Sequence, residues 1–475
     1  MKIYNSLKSK KEEFKPIKDK NVSMYVCGIT PYDEVHLGHA RAYVAFDVIR
    51  RHLENRGYKV NYVQNFTDID DKIINKANEK NITPKQLAES HIKDYFIQME
   101  KLFVNEADHY PKVSENIPNI TKFIKKLLDK GSAYEINGDV YFSVRNCRDY
   151  CKLSKRNIEE LKSGARVNID ENKKDPLDFA LWKKAKPEEL KTASWDSPWG
   201  KGRPGWHIEC SVMATDILGE TIDIHGGGQD LIFPHHENEI AQTEACTGKP
   251  FVNYWIHNGF VTINKEKMSK SLGNFFTLKE IFQKYEPIYV RYFLISQHYR
   301  SPIDFSDAAL DTAKISLKEI YDAFFRLHQE LLKKEEKEEE KTDGMFIKFK
   351  KRFLESLDDD FNTEQALSIL HELKNYSLNN FLKKDKKWIE NSIKLMNTFI
   401  KVLLGAEFDF EKAKELKDKQ IKDLIKKREV LRKEKKWQEA DTIKTELSNK
   451  GIKLFDNPDN TTSFSPANIN IVRKL

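Results

Sequence analysis

Two histidines bracket a Leu-Gly pair in His36-Leu37-Gly38-His39. The tetrapeptide stands where an apolar run, Ser23 to Cys27, gives way to a turn at Gly28 to Tyr32 and then to helical periodicity, with Ala45, Val48, Ile49 and Leu53 on one face and Gly57 as a stop. A helix N-terminus presents unpaired N–H groups and a partial positive charge. The two rings are therefore placed to meet a triphosphate, with no bulky side chain between them. More than two hundred residues later comes Lys267-Met268-Ser269-Lys270-Ser271, followed by Gly273 and Asn274. It joins point charges to small residues, the composition of a loop that closes over phosphate. His36, His39, Lys267 and Lys270 are the candidates for neutralising charge on a nucleotide, with Gly38 and Ser269 beside them.

A second chemistry is suggested by Cys27, at the end of the first strand, by Cys210 in Trp206-His207-Ile208-Glu209-Cys210-Ser211, and by His235 with Glu239. If a helix runs from Glu237, positions 235 and 239 are four apart and point the same way. Two thiolates, an imidazole and a carboxylate form a borderline-soft set suited to zinc. Taken singly, each has a plainer reading, since buried cysteine commonly serves as a small hydrophobe. His236-Glu237-Asn238-Glu239-Ile240 begins like a zinc-protease helix but carries Ile240 where the second histidine must be, so that reading fails. Cys147 and Cys151 lack a matching pair and read as structural. In Asp223-Ile224-His225-Gly226-Gly227-Gly228-Gln229-Asp230, three glycines after a strand let backbone approach a nucleotide at Gly227, and Asp230 can accept from a ribose hydroxyl. Trp206, next to a candidate ligand region, is placed to wall a pocket or to pack a core.

These residues need a frame that brings them together. Strand, loop, helix and a second strand from Val60 to Phe66 make a βαβ unit, which implies a parallel sheet with ligands at the carboxyl ends of its strands. From about residue 111 to 201 the pattern is irregular and punctuated by Gly and Pro, as in an insertion. Strand-like Ile222 to His225 and helix-like Glu237 to Cys246 then resume the sheet. Beyond about Ala308 the sequence turns helical, with the charged run Lys333 to Lys341 as a solvated helix or loop. A last unit begins near Glu407, where a helix ending at Gly451 leads into the strand-like Ile452 to Phe455. The expected fold is α/β: a Rossmann-like parallel-sheet domain in two halves, 1–110 and 202–307, split by a connective insertion, 111–201, and followed by a helical bundle, 308–404, and a small α/β unit, 405–475.

At 475 residues, with 39% of them apolar, the chain is long enough for several cores, and its five cysteines are too sparse for a disulfide framework. No apolar run approaches a bilayer span, and the N-terminus lacks the apolar core of a secretory signal, so a cytoplasmic protein is expected. The net charge of +7 is modest. It is unevenly spread, with twelve Lys or Arg against seven Asp or Glu between Lys417 and Lys450. Lys426, Lys427, Arg428, Arg432, Lys433, Lys435 and Lys436, with Trp437 for stacking, could meet RNA there, or could simply form a solvated face.

The two phosphate motifs, in that order and with a βαβ unit at the first, resemble the HIGH and KMSKS signatures of class I aminoacyl-tRNA synthetases. Met24-Tyr25-Val26-Cys27-Gly28-Ile29-Thr30, Asn65-Phe66-Thr67-Asp68-Ile69-Asp70-Asp71-Lys72, Gly205-Trp206-His207-Ile208-Glu209-Cys210-Ser211 and Phe233-Pro234-His235-His236-Glu237-Asn238-Glu239 narrow the resemblance to the cysteinyl-tRNA synthetases, over nearly the whole chain. The resemblance implies ATP-driven activation of L-cysteine and its transfer to tRNA(Cys). It implies one Zn²⁺ per subunit on Cys27, Cys210, His235 and Glu239, Mg²⁺ with the ATP, and substrate contacts at Cys27, Gly28, Thr67 and Trp206. It also implies an activated lysine at Lys270, RNA contacts from the helical bundle, anticodon recognition by 405–475, and a monomer. Leu37 stands where many relatives have Ile, and the tail Asp456 to Phe464 lacks the usual Gly-Thr and Trp. Two rivals remain at this point: a ligase joining cysteine to a small amine, as in the mycothiol pathway, and a catalytically silent zinc- and RNA-binding protein.

Overall fold

The computed structural model describes residues 1–158, 173–267, 275–335, 343–408, 419–468 and 471–472. The chain divides into two compact units, Met1–Lys284 with Tyr299–Asp304, and Tyr285–His298 with Phe305–Leu475.

The first unit is built on a parallel sheet of four strands: β1 (Asn21–Val26), β2 (Lys59–Gln64), β3 (Ile222–Gly228) and β4 (Val252–Asn258). Their spatial order is β4-β3-β1-β2, with every neighbouring pair parallel. Chain order therefore reverses between β1 and β3, and a crevice opens at the carboxyl ends of those strands. Both faces of the sheet are covered, and Val22, Met24, Tyr25 and Val26 of β1 are all buried, as the near-continuous apolar run requires. The helix after β1, α1 (Leu37–Asn55), places Val44, Phe46, Val48, Ile49 and Leu53 inside. Two further helices bear on the site, α2 (Trp206–Leu218) and α3 (Glu237–Thr247), the latter closed by Gly248 at φ 77°.

Two local differences from the sequence reading stand out. The glycine run does not follow a strand but finishes one, because Gly226, Gly227 and Gly228 pair with Ile256, His257 and Asn258 of β4. The stretch taken as irregular holds an antiparallel sheet of Ala133–Ile136, Asp139–Phe142, Phe179–Lys184 and Gly202–Pro204. Its strands are so short that Gly and Pro dominate the pattern.

The second unit is mainly helical: α4 (Pro287–Ile295), α5 (Asp307–Leu331), α6 (Gly344–Asp358), α7 (Thr363–Asn380) and α8 (Lys386–Leu404). It ends in the helix pair α9 (Lys419–Lys433) and α10 (Trp437–Asn449) with the antiparallel strands Ile452–Asp456 and Thr462–Pro466. Ile421, Ile425, Leu431, Ala440, Ile443, Leu447 and Ile452 form a small core there. Arg428, read as a phosphate contact, instead points into this unit. The residue is 3% exposed and its guanidinium grips Asp456 at 2.6 and 3.1 Å, and Arg432 reaches the same carboxylate at 2.7 Å. Lys426, Lys427, Lys433 and Trp437 are exposed. Most of the charged run Lys333 to Lys341 lies outside the described residues. Among the described residues, no helix is long and apolar enough to cross a membrane.

Candidate active site

Cys27 is the residue after β1, and its N–H donates to the Gly226 carbonyl at 3.1 Å, which pins it at the reversal point of the sheet. Cys210 projects from the first turns of α2. The segment Ile232–His236 runs directly into α3, bringing His235 Nε2 to 3.0 Å from Glu239 Oε1. The ligand atoms of Cys27, Cys210, His235 and Glu239 all lie within 4.8 Å of one another, and all four residues are buried.

The spacing fits a tetrahedral ion. With zinc–sulfur bonds of about 2.3 Å, two thiolates of a tetrahedron sit roughly 3.8 Å apart, and a thiolate and a carboxylate oxygen sit about 3.6 Å apart. Cys27 Sγ is 3.8 Å from Cys210 Sγ and 3.7 Å from Glu239 Oε1. The donor chemistry fits as well: two soft sulfurs, one imidazole and one carboxylate, with no lysine or arginine among them.

Electrostatics within the cluster are uneven. Burial pushes the Cys27 thiol well above its usual range, while hydrogen bonding from Cys27 draws Cys210 down to about 6. Burial alone would lower His235, but the Glu239 carboxylate outweighs it and raises the imidazole to about 10. Burial likewise works against ionised Glu239, yet the charges of His225 and His235 and the hydrogen bonds they make hold it at about 2.

Cys27 and Glu239 are shared with a second quartet that includes His225 and His236. His236 Nε2 is 3.3 Å from Cys27 Sγ, and its Nδ1 is 2.8 Å from His257 Nε2. His225 Nε2 meets the outer oxygen of the carboxylate, Glu239 Oε2, at 2.9 Å. With Oε2 so engaged, Oε1 is left turned toward Cys27 and His235. Trp206, 40% exposed, stacks on His235 with ring centroids 4.2 Å apart, and His207 Nδ1 lies 3.0 Å from His235 Nδ1.

The cluster borders a cavity of about 350 Å³ whose lining includes Cys27, Gly28, Trp206, Gly227 and Asp230. His36, Gly38 and His39 line it too. His36 caps α1 through a reciprocal bond: His39 N–H donates to His36 Nδ1 at 3.3 Å and His36 N–H donates to His39 Nδ1 at 3.4 Å. Because each Nδ1 accepts, each Nε2 carries the proton and is a donor. The rings stack at 3.5 Å. A Cβ on Gly28 would fall 1.5 Å from the Asn65 carbonyl oxygen, so backbone alone fits there.

The sequence places these pieces in one family, and comparison with known proteins decides which. Residues 13–315 match the family model described as tRNA synthetases class I (C) catalytic domain, and residues 352–406 match the DALR domain. Cysteine–tRNA ligase of Endomicrobium trichonymphae is 54% identical, with 97% of this chain and 98% of that protein covered. The chain belongs to the cysteine–tRNA ligase family. A cysteine–tRNA ligase of Thermococcus onnurineus (strain NA1) is 49% identical over 97% of this chain and 98% of its own length. In fold, the chain is similar to Mycobacterium tuberculosis methionyl-tRNA synthetase in complex with methionyl-adenylate, at a TM-score of 0.61 and 15% identity, over 81% of this chain and 92% of that one.

Within this cysteine–tRNA ligase fold, one candidate substrate contact sits apart. Thr67 is 3% exposed and does not line the cavity. It lies behind Gly28, where Asn65 accepts from Gly28 N–H at 2.9 Å, donates to Thr67 Oγ1 at 3.4 Å, and Thr67 in turn donates to buried Glu209 at 3.0 Å. Lys267 contributes backbone to a short strand paired with Thr262, but its side chain, together with Ser269 and Lys270, lies outside the described residues. Sequence reasoning missed His225, His236, His207 and His257. The usable signal was positional: His236 is three residues before Glu239 on the same helical path, and His225 is two before Gly227, which lines the cavity.

Proposed function

We propose that this chain is a cysteine–tRNA ligase that activates L-cysteine with ATP and transfers it to the 3′ end of tRNA(Cys). The observation that carries the reading is the convergence of Cys27, Cys210, His235 and Glu239 beside a cavity walled by the histidine-bearing N-terminus of α1. Zinc held by those four residues would supply a soft acceptor that takes a substrate thiolate in preference to a serine hydroxyl.

In the first step, a carboxylate oxygen of cysteine attacks the ATP α-phosphorus in line. The new O–P bond forms as the bond to the β-phosphate breaks, giving cysteinyl-adenylate and pyrophosphate. The protein's part is positioning and charge neutralisation. His36 and His39 offer Nε2–H donors and the α1 N-terminus offers its dipole. We assign Lys267, Ser269 and Lys270 of the second signature to the phosphates, with Mg²⁺ accompanying the ATP. Gly38 and Gly227 let backbone close on the nucleotide, and Asp230 accepts from the ribose. Gly28 and Trp206 border the thiol end, with Thr67 supporting Gly28 from behind. In the second step, a hydroxyl of the terminal ribose of tRNA attacks the carbonyl carbon and AMP departs. We assign anticodon recognition to residues 405–475, with Lys426, Lys427 and Lys433 facing RNA, and place the enzyme in the cytoplasm as a monomer.

Metal content of the purified protein and cysteine-dependent ATP–pyrophosphate exchange test the reading. Wild type should hold one zinc and favour cysteine over serine by far more than the roughly 10- to 200-fold that an apolar pocket achieves. Cys210→Ala should lose the metal and fall to or below that range. Retained discrimination in a metal-free Cys210→Ala protein would refute the role given to zinc.

A further inference from the structure

Position 237 lies midway between two of the candidate metal ligands, His235 and Glu239. At about 100° per helical residue it points roughly 200° around α3 from Glu239, away from the cluster. The residue is nevertheless only 1% exposed. What buries it is a turn of the insertion, 83 and 84 positions earlier in the chain. Ser154 N–H donates to Glu237 Oε2 at 2.7 Å, and Leu153 N–H donates to the same oxygen at 3.1 Å. Cys151 and Lys155, at φ 72° and 57°, bend the chain on either side, so two successive N–H groups face one carboxylate. Further contacts follow along the helix. Tyr150 Oη–H donates to Asn238 Oδ1 at 2.5 Å, the Arg156 guanidinium lies 4.5 Å from the centre of the Phe233 ring, and Lys152 pairs with Glu244.

Between this turn and the helix lies a cavity of about 240 Å³, whose lining includes Cys147, Tyr150, Lys152, Glu237, Ala241 and Glu244. Packing is interrupted there, which leaves the polar contacts to fix where α3 sits. The start of the helix needs such a restraint. His236, the residue before it, provides no side-chain cap, and Glu239 is the third residue in. Zinc tolerates displacements of its ligand atoms of only about 0.2 Å, so a small shift of this turn is felt at the ion. We propose that Glu237 is a positioning residue for the metal: gripped by Leu153 and Ser154 of the insertion, it fixes the first turn of α3 and so the places of Glu239 and His235. The inference rests on the zinc reading above and adds the outside support on which that site depends. Coupling of this kind is reciprocal, so zinc in turn tightens the turn from Tyr150 to Arg156 onto the helix.

The test uses the full-length protein, stripped of metal and reloaded with Zn²⁺ in competition with a chelator. Glu237→Leu leaves both N–H groups unmet and should weaken zinc binding about 10- to 100-fold, the usual cost of losing a group that orients a ligand. Lys152→Met removes a contact of the same turn at the far end of α3 and should change zinc affinity by less than about threefold. Amide hydrogen exchange reads the reciprocal effect in wild type, where zinc should slow exchange at Leu153 and Ser154 by the same factor of about 10 to 100. A Glu237→Leu protein that binds zinc within about threefold of wild type overturns the inference. So does an equal loss in Lys152→Met, which would show only a loosened interface. If the leucine variant does not fold, wild type decides: exchange at Leu153 and Ser154 that zinc leaves unchanged overturns it. A wild-type protein that takes up no zinc would instead refute the zinc reading.

Discussion

Loading the cluster with zinc should release about two protons per ion at pH 7. A zinc site of this kind takes both cysteines as thiolates, the imidazole neutral and the carboxylate ionised. In the metal-free cluster, burial keeps Cys27 as the thiol, so it gives one proton. His235, raised to about 10 by Glu239, gives the second. Cys210, drawn down to about 6, is already mostly thiolate at pH 7, and Glu239 at about 2 is already ionised, so neither adds much. The sign follows: affinity rises with pH, by about tenfold per proton released per pH unit, hence roughly a hundredfold per unit near neutrality. Below about pH 6 Cys210 should add a third proton, and above about pH 10 the share of His235 should fade. Isothermal titration calorimetry in buffers of different ionisation enthalpy counts the protons, and competition with a chelator at about pH 6.5, 7 and 8 gives the slope. A count near one, with a tenfold slope, would sink the assignment.

His225→Leu should cost about 10- to 100-fold in zinc affinity, since it removes the 2.9 Å contact that turns Glu239 toward the cluster, and chelator competition would measure it. Arg428→Met should destabilise the second unit by about 1–3 kcal/mol in thermal unfolding of the full chain, through loss of the bonds to Asp456 and Thr462. The Arg428 hydrogen bond holds the Asp456 carboxylate below its usual range against a smaller, opposing effect of burial. That contribution is therefore present at neutral pH and lost as the pH falls through the lowered value, so the wild-type advantage should shrink in acid. An advantage that is flat from pH 7 to about pH 3 would show that Arg428 acts through packing alone.

Much of the site was legible because its residues sit in short, unusual local patterns. The stop after β1 at Cys27, the His-Leu-Gly-His cap and the i, i+4 pair His235 and Glu239 each follow from spacing within a few residues. The histidines that surround the cluster were not legible, because their roles arise between strands. His225 meets Glu239 only once β3 and α3 are packed, and His257 meets His236 only once β4 packs against the Ile232–His236 segment. The glycine run misled for a related reason. Glycine favours turns, but here Gly226, Gly227 and Gly228 close a strand that pairs normally with β4. In the terminal unit, composition suggested a basic surface, whereas periodicity held the answer. Ile421, Ile425, Arg428 and Arg432 recur at helical spacing, and of these Ile421, Ile425 and Arg428 are buried.

On the proposed function, the arrangement would tie selection of the amino acid to its activation. Glu239, His235 and Cys210 are each no more than 2% exposed, while Cys27 is 8% exposed and lines the cavity with Trp206. A substrate sulfur can therefore approach the cluster from one side, past Cys27 and Trp206. Along that approach, the rest of a short amino acid is left in the cavity, on the side where His36 and His39 cap α1. On the proposed function, a cysteine anchored by its thiol would then have its carboxylate turned toward the place assigned to the α-phosphate. Serine, without the anchor, would lose position as well as binding. Its penalty should appear in kcat as well as in KM, because a poorly held carboxylate is a poorly aligned nucleophile.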